Sequence, residues 1–174
     1  MKIMRYVILL LAFSILSCNS NSQAPVKNSA GSTDNITVDF SNIDLTKIEK
    51  SEKEWREELT NQEYYVLREK GTERAFTGDH VNNNKEGVYT CKACQLPLFT
   101  STTKFKSGTG WPSYYQPIHN EVILEDTDHL LGYARTEVLC ARCEGHLGHV
   151  FNDGPKPTGL RYCINSVSLD FVEK

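Results

Sequence analysis

The sequence predicts an α+β fold, mainly β, in which small antiparallel sheets form a β-core behind short N-terminal helices. Three observations carry that expectation. Two helix-start signals lie close together at Ser51 and Thr60, and helical patterning stops after Gly71. From Gly87 onward, short β-prone runs alternate with clusters of Gly, Pro and Asp. No helix-length stretch separates those runs, so the strands are expected to pair antiparallel and not through βαβ crossovers.

The chain has 174 residues, 39% hydrophobic and 24% charged, which suits one folded domain with a real core. A formal net charge of −3 gives no electrostatic basis for a nucleic-acid partner. At the N-terminus, Lys2 and Arg5 flank a nearly unbroken apolar or small-residue run from Tyr6 to Ser17. That run is too short to cross a bilayer comfortably, so residues 1–17 read as a signal peptide. It ends in Ile15-Leu16-Ser17-Cys18, which resembles a bacterial lipobox. The resemblance implies cleavage before Cys18, lipidation of its sulfur, and an extracytoplasmic, membrane-anchored lipoprotein of the bacterial cell envelope. A plain secretory signal with Cys18 incidental is the alternative.

Residues 18–50 are expected to form a lipid-anchored flexible tether. Asn19 to Asp44 is polar, rich in Asn and Ser, and carries Pro25 and Gly31. Ile36, Val38 and Phe40 alternate, which leaves room for one short docked strand. The folded domain is expected over 51–174. Ser51-Glu52-Lys53-Glu54 and Thr60-Asn61-Gln62-Glu63 both fit the capping box, and the second helix carries Tyr64, Val66 and Leu67, with Gly71 placed to stop it. The strand candidates include Val88-Tyr89-Thr90, Val122-Ile123-Leu124, Thr136-Glu137-Val138-Leu139 and Tyr162-Cys163-Ile164.

Six cysteines partition into Cys18, the pairs Cys91-x-x-Cys94 and Cys140-x-x-Cys143, and a solitary Cys163. Two C-x-x-C knuckles suit tetrahedral zinc, because each turn aims two thiolates at one ion. Structural disulfides or a thioredoxin-like redox pair remain open on spacing alone, although the redox reading lacks its βαβ context. One zinc held by Cys91, Cys94, Cys140 and Cys143 would be structural, since four thiolates leave no position for water or substrate.

Strand alternation puts Arg161, Cys163 and Asn165 on one face and turns Tyr162 and Ile164 to the other. A cation and an amide beside a thiol are partners that lower its pKa and orient a polar substrate, although a buried structural cysteine is the commoner case. His146 and His149 could pair with such a nucleophile, or be surface residues or metal ligands. In Ser107-Gly108-Thr109-Gly110-Trp111-Pro112-Ser113, Trp111 is either a core aromatic in a tight turn or a wall for an apolar or sulfur-bearing group.

Together these segments resemble the methionine-R-sulfoxide reductases, the B family of peptide methionine sulfoxide reductases. The resemblance runs from about Trp55 to Phe171 and is most specific from His146-Leu147-Gly148-His149-Val150-Phe151 through Arg161-Tyr162-Cys163-Ile164-Asn165-Ser166. Gly-Trp-Pro-Ser at 110–113, Arg135-Thr136-Glu137-Val138 and both C-x-x-C pairs match as well. It implies a structural zinc on the four paired cysteines and thiol-dependent reduction of the R epimer of protein-bound methionine sulfoxide. Cys163 would be the nucleophile and Trp111 the contact for the sulfoxide methyl group. His146, His149, Asn165 and Arg161 would position or protonate the oxygen. Many members carry a resolving cysteine where this chain has Thr109. The expected cycle therefore uses one cysteine and an external thiol, thioredoxin-like, glutaredoxin-like or small. The competing readings are a membrane-tethered zinc-knuckle binding module, in which Cys163 is idle, and a thiol–disulfide oxidoreductase working through one C-x-x-C pair.

Overall fold

The structure, a computed structural model, describes residues 43–129 and 132–174. The signal peptide, Cys18, the earlier part of the tether and the alternating Ile36–Val38–Phe40 lie outside the described residues.

Helix α1 (Glu52–Glu58) and helix α2 (Asn61–Leu67) both begin with complete capping boxes, on Ser51 with Glu54 and on Thr60 with Glu63. Each reciprocal pair satisfies two backbone amides that the first turn leaves free. The end of α2 differs from expectation. Lys70, not Gly71, takes the left-handed backbone conformation, at φ 56°. A Cβ at Gly71 would lie 2.3 Å from the half-exposed Tyr65 ring, which would then have to shift.

Among the described residues, nine strands follow: β1 (Gly87–Cys91), β2 (Pro97–Thr100), β3 (Lys104–Phe105), β4 (Ser113–Tyr114), β5 (Ile123–Asp128), β6 (Arg135–Cys140), β7 (His146–Phe151), β8 (Arg161–Ile164) and β9 (Leu169–Glu173). All pairings are antiparallel, in a three-stranded sheet ordered β2-β1-β9 and a six-stranded sheet ordered β3-β4-β8-β7-β6-β5. Aromatic side chains join the two sheets. Phe99 of β2 stacks on Tyr114 of β4 at 4.4 Å between centroids, and Tyr89 of β1 meets the same tyrosine edge-on at 5.2 Å. These rings, with Leu98, Val138 and Ile164, are fully buried and make one continuous core. Such side chains each remove 150–250 Å² or so from water, a large share of what holds a domain this small.

The expected tether boundary at residue 50 moves back. Ile43, Leu45 and Ile48 pack against the core, and the Ile48 amide donates to the Arg142 carbonyl at 2.8 Å. Asp44 pairs with Arg142 at 3.0 Å and Lys47 with Glu144 at 2.6 Å. The extended segment 43–50 therefore belongs to the folded body, because its apolar side chains have a surface to cover.

Candidate active site and metal centre

Each knuckle sits at one hairpin turn, one in each sheet. Cys91 ends β1 and Cys94 sits in the β1–β2 turn, while Cys140 ends β6 and Cys143 sits in the β6–β7 turn. All four are free thiols whose sulfurs lie within 4.8 Å of one another. Cys91 Sγ is 3.6 Å from Cys143 Sγ and Cys94 Sγ is 3.5 Å from Cys140 Sγ. A disulfide would bring a pair to about 2.05 Å, which excludes that reading. A tetrahedron of sulfurs about 2.3 Å from a central zinc has edges of about 3.8 Å, so the donor set fits a single tetrahedral ion. The site closes the same way from both sides, since Gln95 and Glu144 turn each knuckle with φ values of 62° and 57°.

Away from this cluster, the six-stranded sheet carries a row of polar residues in register: Ser113 pairs with Cys163, Cys163 with His149, and His149 with Glu137. Cross-strand partners share a face, so thiol and imidazole sit side by side. Gly148 makes this approach possible, since a Cβ there would lie 2.1 Å from the Cys163 carbonyl oxygen. The cleft above Cys163 has a volume of about 110 Å³ and is lined by Thr72, Trp111, Arg135, Gly148, His149, Phe151, Cys163 and Asn165.

Trp111 is held in place by its indole N–H, which donates to the Glu73 carbonyl at 3.2 Å. Its loop turns on Gly110 at φ 93°, a conformation that favours glycine. The segment after α2 adjoins Trp111 and lines the cleft through Thr72. Buried Glu73 accepts from the amides of Ser166 and Val167 at 2.5 and 2.9 Å, and its own amide donates to Asn165 Oδ1 at 3.0 Å. Nothing in the sequence pattern pointed to Glu73, because the groups that its carboxylate and its amide meet lie more than ninety residues on (|i−j| = 92, 93 and 94).

The expected site residues separate into distinct roles. Cys163, His149, Asn165 and Trp111 line the cleft. Asn165 is buried, and its amide is committed to backbone: Nδ2 donates to Leu147 O at 3.0 Å while Oδ1 takes the Glu73 amide. It fixes the cleft's shape. His146 does not line the cleft but a neighbouring hollow with Glu69, Lys70, Asp128 and Glu137. Its ring meets that of His149 edge-on at 5.4 Å. His146 Nδ1 donates to Glu137 Oε1 at 2.6 Å, and burial holds the imidazole below its ordinary range. His149 donates from Nε2 to Asp128 Oδ2 at 2.8 Å, which fixes the ring's orientation and leaves Nδ1 as its other nitrogen. Asp128 also takes Nη2 of Arg135.

Arg161 is engaged by Asp153, with Nε and Nη2 donating at 2.8 and 2.9 Å, and it stacks on Phe151 at 4.4 Å. The expectation of a depressed Cys163 pKa is reversed, and the cause is burial. Burial pushes the thiol up, and this outweighs the downward pull of the Thr109 hydroxyl, 3.8 Å from Sγ, and of the Arg161 charge. Asp153, held against Arg161, itself adds to the upward push.

A half-buried thiol on the floor of a cleft, beside an oriented histidine and apart from a closed four-sulfur cluster, is the layout of a thiol-dependent enzyme. A family model described as the SelR domain matches residues 59–173. The chain is 56% identical over 128 residues to the peptide methionine sulfoxide reductase MsrB of Leptospira interrogans, a match covering 74% of this chain and 98% of that protein. With the MsrB of Agrobacterium fabrum the identity is 53% over 132 residues, covering 76% and 98%. With the chloroplastic peptide methionine sulfoxide reductase B1 of Arabidopsis thaliana it is 48% over 159 residues, covering 91% and 74%. The chain belongs to the SelR domain family, that of the MsrB-type reductases.

Proposed function

We propose that the protein reduces the R epimer of methionine sulfoxide, mainly within protein chains, to methionine. The observation that carries this reading is the register of Cys163 beside His149 under the Trp111 wall. Cys163 attacks as thiolate at the sulfoxide sulfur, with Trp111 packing against the methyl group. The sulfur–oxygen bond breaks as the oxygen passes to Cys163. Two electrons move from the cysteine sulfur to the methionine sulfur, and the oxygen gains a proton that His149 can supply from Nδ1. Methionine leaves and Cys163 remains as a sulfenic acid. Two external thiols then restore it, forming their own disulfide and water. Thr109, in contact with Sγ, offers no second thiol, so the cycle needs only Cys163.

Asn165 and Glu73 shape the cleft, Arg161 bears on the thiol, and His146 acts behind His149. The four paired cysteines would hold one zinc, which would supply no reaction chemistry but would tie a hairpin turn of one sheet to a hairpin turn of the other. We further infer that residues 1–17 are a signal peptide, that Cys18 carries lipid, and that the enzyme repairs oxidised proteins in the bacterial envelope.

The test is turnover of separated R and S epimers of a methionine-sulfoxide peptide with dithiothreitol, for the folded domain and its Cys163→Ser variant. Turnover of the R epimer alone, abolished by the substitution, is expected. Folded, metal-loaded protein that reduced neither epimer would remove the reductase reading and favour a tethered binding module.

A further inference from the structure

We propose that Arg135 holds the sulfoxide oxygen in the Cys163 cleft, a role that rests on the reductase reading above. Arg135 begins β6, two residues before Glu137, so alternation places it on the face that carries His149 and Cys163. Among the residues lining the cleft it is the one lysine or arginine.

Its hydrogen bonding is incomplete, as it is for Arg68 and Arg142, but Arg135 alone of the three lines the cleft. Nη2 pairs with Asp128, yet the buried Nε–H has no partner among the described residues. Nη1 makes no bond to a described residue and is not closed off as Nε is, so the guanidinium keeps a charged donor to offer a ligand oxygen. Arg161, the cation nearer in sequence, differs: both Nε and Nη2 are spent on Asp153. The two arginines thus divide the work, one bearing on the thiol and the other free to take an oxygen.

The same oxygen of Asp128 receives Arg135 Nη2 and His149 Nε2, so the guanidinium and the imidazole are fixed relative to one another. A guanidinium never gives up its proton near neutral pH, so it can stabilise charge on the oxygen without competing as the acid. His149 gives the proton, the sulfur–oxygen bond breaks, and the oxygen leaves with the Cys163 sulfur. The product discrimination follows directly. A sulfoxide oxygen is a strong acceptor and a thioether sulfur a weak one, so Arg135 grips the substrate and releases methionine.

The test is binding in the Cys163→Ser protein, where no turnover intervenes. Affinities are measured for one peptide carrying methionine-R-sulfoxide and for the same peptide carrying methionine. Arg135→Met is expected to weaken the sulfoxide peptide roughly ten- to hundredfold and to leave the methionine peptide within about twofold. Arg135→Lys keeps a cation against Asp128 and is expected to recover part of the loss, which guards against a misfolded Met variant. Equal weakening of both peptides, or no weakening of either, would overturn the proposal. Epimer turnover by the unaltered enzyme decides the reductase reading separately, so the two can fail independently.

Discussion

Glu137 offers the sharpest perturbation of the site's support. Its side chain is 1% exposed and bridges His146 Nδ1 at 2.6 Å and Lys70 Nζ at 2.7 Å. Glu137→Gln keeps the shape and removes the charge. The amide oxygen can still accept from one donor, but the amide N–H₂ then faces the other. If it faces His146, that ring must move its proton from Nδ1 to Nε2 or leave a donor against a donor. One charge-assisted bond to a buried partner is lost, while the Lys70 bond, with its lysine side chain 57% exposed, counts for less. The net loss is about 2–3 kcal/mol, hence roughly 6–15 °C in melting temperature for a domain of this size. Thermal melts of metal-loaded protein, with nitrogen NMR of the His146 ring, read both parts. A melting point within about 2 °C of the parent, with the ring still protonated on Nδ1, would refute the reasoning.

Two other outcomes follow from the same geometry. Stripping the four-cysteine centre with a chelator, or substituting Cys91→Ser, is expected to unfold the domain. Structural zinc binding is worth about 10–16 kcal/mol where it has been measured, as much as a whole domain's stability of about 5–15 kcal/mol. Circular dichroism of metal-free protein checks this, and an unchanged melting curve would count against it. For Cys163, burial raises the thiol pKa, so the reactive thiolate is scarce at neutral pH. The rate of alkylation of Cys163 in folded protein is expected to climb about tenfold per pH unit from neutrality past the ordinary thiol value of about 8.5. A plateau already reached below pH 7 would contradict it.

The local parts of the fold were legible in the sequence. Both capping boxes form because their partners lie three residues apart, and the strand runs declare themselves by composition and turns. Alternation correctly turned Tyr162 and Ile164 into the core. The cysteine pairs meet as their motif implied. What escaped is non-local. Glu137 reads as an ordinary polar position on a strand, and only the tertiary fold shows its polar face to be covered. Arg135 and Asp128 are joined across the β5–β6 pairing, and Glu73 reaches backbone amides far along the chain. The downward pull of Arg161 on Cys163 was identified correctly, but the net direction was not. Alternation names who stands beside a thiol and is silent on how much water surrounds it, which here decides the direction of its pKa.

The pairing of β1 with β9 sets the order of assembly. Val88 lies against Val172 near the end of the chain, so the smaller sheet cannot close until nearly all of the domain has been made. Contacts of such long range form late and slowly, because the loop entropy is spent before the strands reward it. Through that interval the nascent chain exposes every thiol, including the one that must stay single. Early capture of a metal by the two knuckles would withdraw four of them from wrong pairings, leaving Cys163 without a cysteine to misjoin in the folded body.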